Sequence, residues 1–126
     1  FQRHCNFSSQ SANKPRPEWF NREKIFDSFI STLDDRVEYT AFHDSGNGSI
    51  EDHFLNKKDV NKVTKFGGND AQSFLNLLNY VVEQDYDVDD IIYFLEDDYL
   101  HKEGWIDVFK SYNYPLNTLE DYPIYN

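Results

Sequence analysis

The feature that most constrains the fold is an apolar run, Ile91 to Leu95, that leads directly into Glu96, Asp97 and Asp98. A continuous apolar run of this length, rich in β-branched and aromatic residues, predicts a strand buried on both faces. Open α/β sheets bind their ligands beyond the carboxyl ends of the strands, where these acids would lie. Because neighbouring carboxylates repel one another unless a cation is present, the run predicts a divalent-metal site and phosphate-containing substrates.

Composition narrows the classes of protein that the chain can belong to. Its 126 residues suffice for one domain or part of one, and an aromatic fraction of 17% can supply a core. The 12 basic and 23 acidic residues give a net charge of -11, which argues against nucleic acid or an anionic membrane surface as a partner. No stretch has the pattern of a membrane span or a secretory signal, which together with the single cysteine slightly favours the cytoplasm.

Apolar periodicity and turn residues predict helices and strands that alternate along the chain. We predict a helix from about residue 18, a second helix capped by Asn69 and a third over 102–111. Strands are predicted at 36–42, 63–66, 91–95 and 122–125, whereas residues 1–18 are predicted to be a loop after a truncated strand.

This alternation is typical of βαβ units. We therefore expect an α/β fold, a mostly parallel sheet flanked by helices. Residues 1–126 would form a single domain. Because the chain starts abruptly at Phe1 and contains no methionine, we expect that domain to be partial and the chain to be a segment of a longer protein.

The acidic motif and its surroundings resemble the GT-A glycosyltransferases. The sequence Leu95-Glu96-Asp97-Asp98-Tyr99-Leu100, followed by Gly104-Trp105 and a helix, is similar to the DxD metal motif of that family. A closely similar Glu-Asp-Asp follows a hydrophobic strand in N-acetylglucosaminyltransferase I. The resemblance implies a Rossmann-like nucleotide-sugar domain in which Asp98 binds Mn²⁺ or Mg²⁺. It also implies that Glu96 and Asp97 contact the nucleotide-sugar donor.

The resemblance extends back to about residue 16. It implies that Asp44, at the end of the second strand, lies near the base, and that Asn69 in the loop that begins Gly67-Gly68 contacts the nucleotide-sugar. From the residues alone, a simple turn at Asp44 and a simple helix cap at Asn69 remain open alternatives. Nothing in the chain can be matched to the carboxylate base of the inverting members, so the catalytic residue is unknown.

The predicted function is metal-dependent sugar transfer from a nucleotide-diphosphate donor to an unidentified glycan, lipid or protein acceptor. One alternative is a non-enzymatic Ca²⁺-binding module, because Asp85, Asp87, Asp89 and Glu96 have the spacing of a calcium loop. Against that alternative, Asp90 stands where the loop requires glycine. A second alternative is an acidic protein-interaction domain whose carboxylates lie at the surface.

Three further expectations concern side chains around the acids. In an extended strand, Glu96 and Asp98 would project to one side and Asp97 to the other. Arg16 and Arg22 are predicted to be solvated surface cations, although a cation near a diphosphate would be favourable. No histidine spacing suits zinc, and the histidine at 101 is predicted to be a surface residue.

Overall fold

A computed structural model describes residues 1–5, 14–45 and 53–111. Within these ranges four strands form one parallel sheet in the order β3-β2-β1-β4, namely β1 (Gln2–Cys5), β2 (Thr40–Asp44), β3 (Asn61–Lys65) and β4 (Leu95–Glu96). The helices there are α1 (Arg22–Ser31), α2 (Asp70–Glu83) and α3 (Trp105–Ser111), together with a 3₁₀ turn at Phe54–Lys57. The predicted α/β fold with a parallel sheet is confirmed for this part of the chain, and the strand predicted at 122–125 lies outside it.

The strand β1 lies at the centre of the sheet, where the sequence predicted a loop. It pairs in parallel with β2 on one side and β4 on the other. The prediction was wrong because Gln2, Arg3 and His4 are polar and show no apolar alternation, yet all three are buried. Their polar groups are satisfied by tertiary partners, as where Tyr39 Oη donates to Gln2 Oε1 at 2.7 Å.

Helices cover both faces of the sheet. Successive side chains along each strand point to opposite faces, so they contact different helices. On one face Ala41 of β2 joins Phe26 of α1 and Leu55 of the 3₁₀ turn in the hydrophobic core. On the opposite face Phe42 packs against Tyr80 of α2, with ring centroids 5.9 Å apart.

Capping side chains fix where the two longer helices begin. The side chain of Asn21 accepts a hydrogen bond from the amide of Lys24 at 2.9 Å, so α1 begins later than the predicted start near residue 18. Asn69 caps α2 as predicted, accepting from the amide of Gln72 at 2.8 Å. Among the described residues, no helix combines the length and the apolar character needed to cross a membrane.

Several strand boundaries differ from the predicted ones. The second strand occupies 40–44 rather than 36–42, and the strand predicted over 91–95 is reduced to Leu95–Glu96. Ile91 is 51% exposed, so burial on both faces does not hold along that run. Leu95 is paired with Gln2, and before this pair the amino group of Phe1 donates to the carbonyl of Tyr93 and the carbonyl of Phe1 accepts from the amide of Leu95.

We predict that Arg3→Met lowers the free energy of unfolding by about 2 kcal/mol, because charge-assisted hydrogen bonds to a carboxylate are lost. Arg3 contacts Glu96 Oε1 at 2.8 Å through Nη2 and Asp70 Oδ1 at 2.9 Å, joining β1, β4 and α2. Urea unfolding at pH 7 measures the change. Arg36→Met is the matched control, because Arg36 also pairs with two aspartates but stands in solvent. Equal losses in the two variants would contradict the structural role of Arg3.

Candidate functional site

The acidic motif lies at the point where the strand order reverses. From β1 the chain adds β2 and then β3 on one side, and it returns through α2 to place β4 on the other side of β1. In such sheets the crevice beyond the carboxyl ends of the two strands that flank the reversal is the usual ligand site. Glu96 ends β4, and Asp97 and Asp98 follow it into this crevice.

Each carboxylate of the acidic motif contacts a guanidinium group. The pairs are Arg3 Nη2 with Glu96 Oε1 at 2.8 Å, Arg22 Nε with Asp97 Oδ2 at 3.2 Å, and Arg16 Nη2 with Asp98 Oδ2 at 3.0 Å. The prediction that Arg16 and Arg22 are solvated surface cations was therefore wrong. These arginines supply positive charge that reduces the repulsion between the closely spaced acids.

The guanidinium groups of two of these arginines pack on one aromatic ring. The guanidinium carbon of Arg16 lies 4.4 Å from the ring centroid of Phe20, and that of Arg22 lies 5.3 Å from it. Asp97 and Asp98 thus contact two arginines that pack on the same ring, whereas Glu96 contacts an arginine of β1. The expected strand-like alternation of the three acids fails because only Glu96 belongs to the strand.

Asp97 is the most deeply buried of the three acids, with 8% of its surface exposed. Burial raises its pKa to about 6; Arg22 acts in the opposite direction, and the charges of Asp98 and Glu96 raise it further. Because burial destabilises the charge of an acid, any additional hydrogen-bond donor stabilises its carboxylate. Asp97 is therefore suited to accept hydrogen bonds from a ligand's hydroxyl groups.

Three histidines cluster on the face of the sheet that α1 covers, and one of them, His4, lies near Asp97. The ring centroids of His43 and His53 are 4.4 Å apart, and those of His4 and His53 are 5.8 Å apart. Burial lowers the pKa of His4 to about 3 and that of His53 to about 4, with smaller contributions from neighbouring histidines and Arg22. These rings are neutral at pH 7, and His4 Nδ1 stands 3.9 Å from Asp97 Oδ2.

His101 is not a free surface residue, contrary to the sequence prediction. Its ring lies 4.7 Å from that of Phe29 and 5.1 Å from that of Trp105, measured between centroids. Its Nε2 is 2.8 Å from the hydroxyl of Tyr93. His101 therefore anchors the segment after the acidic motif onto α1 and α3.

The structure brings Asp44 and Asn69 to the amino end of α2. Asp44 is fully buried, and its Oδ1 accepts a hydrogen bond from the amide of Gly67 at 3.2 Å. A Cβ on Gly67 would collide with Asp44 Oδ2 and lie 2.8 Å from Ser73 N, so the close approach requires glycine. The side-chain oxygen of Asn69 caps the helix. Both side chains therefore stabilise the start of α2 and the loop before it. Their roles as nucleotide-sugar ligands stay predictions.

A cavity of about 540 Å³ opens beside the acidic motif on the α2 side of β4. Aromatic and aliphatic side chains form most of its wall, with a few polar groups; it is lined by Arg3, Phe74, Leu77, Tyr93, Phe94, Leu95, Glu96, Tyr99, Leu100 and His101. A second cavity of about 430 Å³ involves residues 37–39 and 89–92, before β2 and β4. Since ligands bind at carboxyl ends of parallel strands, the cavity beside Glu96 is the better candidate site.

Few protein groups are available to hold a metal in this structure. In the described ranges, no three His, Cys, Asp or Glu side chains are grouped closely enough to bind an ion. Those ranges include all of 85–96, and Glu96 pairs with Arg3, so the calcium-loop alternative gains no support. Asp98, with 22% of its side chain exposed, suits an ion that takes one carboxylate and completes its coordination with ligand phosphates and water.

Comparison with protein-family models, with curated proteins and with solved structures found no match for the chain. The assignment of a function therefore depends on the geometry of the switch point. That geometry consists of three carboxylates, three guanidinium groups and the adjoining aromatic cavity.

We expect the free energy of unfolding to fall as the pH drops below 6.5, the ordinary pKa of a histidine side chain. Between 6.5 and the lowered pKa values of His4 and His53, the unfolded chain binds protons that the folded chain does not. Asp97 opposes this below about pH 6, because its raised pKa lets the folded chain bind a proton more readily. Two histidines outweigh one aspartate, so we expect a net loss of about 2 kcal/mol between pH 6.5 and pH 5.

Urea unfolding of the wild type and His4→Gln at these two pH values checks this expectation. Glutamine keeps an amide that can reach the hydroxyl of Tyr39, the partner of His4 Nε2 at 3.4 Å. The variant should be less stable at pH 6.5 but lose much less on acidification. The same loss in both proteins would mean that the buried imidazole of His4 does not govern the acid response.

Proposed function

We propose that this chain is the donor-binding domain of a metal-dependent glycosyltransferase of the GT-A type. It would transfer a sugar from a nucleotide-diphosphate donor to a glycan, lipid or protein acceptor. One observation carries the proposal: three consecutive carboxylates, Glu96 at the end of β4 and the two that follow it, lie at the strand-order reversal of a parallel sheet, each in contact with an arginine from β1, from α1 or from the segment before α1. Acids and arginines together can bind a metal and a diphosphate, whereas acids alone would repel the phosphates.

The metal role is proposed for Asp98. It is more exposed than Asp97 and lies at the end of the acidic motif, farthest from the strand. Mn²⁺ or Mg²⁺ at Asp98 would neutralise the diphosphate as the bond to the sugar breaks. One carboxylate from the chain, with phosphate oxygens and water, is a common ligand set for such ions.

The sugar-binding role is proposed for Glu96 and Asp97. Glu96 is part of the wall of the 540 Å³ cavity, where Phe74 and Tyr99 can pack against the apolar face of a sugar ring. Asp97 lies deeper and can accept hydrogen bonds from hydroxyl groups. Asp44 and Asn69 shape the neighbouring edge at the start of α2, where we place the rest of the nucleotide.

The two alternatives rest on weaker observations. A purely acidic interaction surface does not account for the arginine that contacts each acid of the motif. A calcium loop over 85–96 does not account for the pairing of Glu96 with Arg3. The transferase proposal uses both the acids and the arginines.

We predict that Asp98→Asn weakens Mn²⁺-dependent nucleotide-diphosphate binding roughly 10- to 100-fold without unfolding the domain. Isothermal titration with UDP, GDP and ADP, each with and without Mn²⁺, measures this. Asp107→Asn is the matched control, because Asp107 also pairs with an arginine, at 2.6 Å, but stands on α3. Binding that is unchanged in Asp98→Asn, or that is absent from the wild type with all three nucleotides, would refute the proposed function.

The triple variant Asp85→Asn, Asp87→Asn and Asp89→Asn separates the transferase from the calcium module. These residues precede β4, whereas Asp98 follows it. We expect Mn²⁺-nucleotide binding to be retained, with higher stability if anything, because the net negative charge falls. Titration of the triple variant with Ca²⁺ and with Mn²⁺ plus UDP decides. Loss of both binding activities would favour the calcium loop.

A further inference from the structure

We propose that Arg16 is a diphosphate-binding residue that Asp98 holds until the ligand arrives, so that metal and diphosphate bind cooperatively. This inference rests on the proposed function, and it adds a residue and an order of events. In the structure Arg16 contacts the carboxylate that the metal would need. The diphosphate would draw Arg16 away and thereby open Asp98 to the ion.

The geometry of the pair supports such an exchange. Arg16 Nη2 lies 3.0 Å from Asp98 Oδ2, and the two side chains are 20% and 22% exposed, so both are open to a ligand from solvent. Arg16 lies in the segment before α1, outside any helix or strand. Its guanidinium also packs on Phe20, which can keep it near the crevice after the carboxylate is released.

Arg16 and a metal ion cannot both bind Asp98, because both are positively charged. A divalent ion on Asp98 Oδ2 would stand within about 5 Å of a guanidinium still bound there, and the two positive charges would repel one another. Each of the three acids already contacts an arginine, so an ion entering alone must compete with a guanidinium group for its carboxylate. A metal–diphosphate complex removes both obstacles, because its phosphates take the displaced guanidinium in a bidentate contact.

Arg22 differs from Arg16 in a way that assigns the mobile role to Arg16. Its partner Asp97 is more deeply buried, with a side chain 11% exposed, and Arg22 is the first residue of α1. Removing Arg22 from Asp97 would leave a buried carboxylate without its cation, which is costly. Arg22 is therefore the fixed member of the pair on Phe20, and Arg16 is the one that can exchange partners.

The variant Arg16→Gln should change two affinities in opposite directions. Mn²⁺ alone should bind roughly 5-fold more tightly or better, because its competitor for Asp98 is gone. UDP and inorganic pyrophosphate should each bind roughly 10-fold more weakly at saturating Mn²⁺, because a charged contact to phosphate is lost. Pyrophosphate shows whether the contact is to the diphosphate rather than to the nucleoside. Electron paramagnetic resonance of free Mn²⁺ and isothermal titration give the two readouts.

Arg36→Gln is the matched control, since Arg36 pairs with Asp34 and Asp107 away from the crevice. Arg36→Gln should change neither affinity. This result would show that the change in net charge does not explain the effects of Arg16→Gln. If wild type binds Mn²⁺–UDP but Arg16→Gln binds Mn²⁺ alone and Mn²⁺–UDP as wild type does, the inference is overturned and the proposed function stands. If wild type binds neither Mn²⁺–UDP nor Mn²⁺–pyrophosphate, both are overturned.

Discussion

The arrangement of the sheet and of the site depends on the ion pairs of the buried guanidinium group of Arg3. This group carries a full charge in the central strand and meets that charge with Glu96 on the neighbouring strand and Asp70 at the start of α2. A charge in such a place is tolerated only when it is paired and hydrogen-bonded. The same contact that satisfies Arg3 therefore fixes β4 against β1 and brings the acidic motif to the strand-order reversal.

Each acid of the motif contacts an arginine, and this shapes what the site can bind. A cluster of bare carboxylates would attract any cation, whereas carboxylates paired with arginines favour a ligand that carries both a metal and phosphates. Burial keeps the carboxylate of Asp97 costly to ionise, and the buried His4 beside it stays neutral at pH 7. Together these features support the proposal that this edge of an acidic protein binds a phosphorylated donor.

Particular residues show how much of this could be predicted from the sequence. Asn69 was correctly predicted as a helix cap, because a cap is a contact between residues three apart. The strand β1 was missed, because its polar side chains lack the apolar alternation by which strands are recognised. Arg16 was assigned to solvent, because its partner Asp98 lies 82 residues further along the chain and no local pattern links them.

The sequence by itself determined the start of α2 and the placement of three acids after an apolar segment. These depend on spacings of a few residues and on the intrinsic chemistry of each side chain. Only the tertiary structure decided which charges meet, since parallel strands are joined by crossovers that bring distant segments together. Arg3, Arg16 and Arg22 thus reach the acids through the order of the strands.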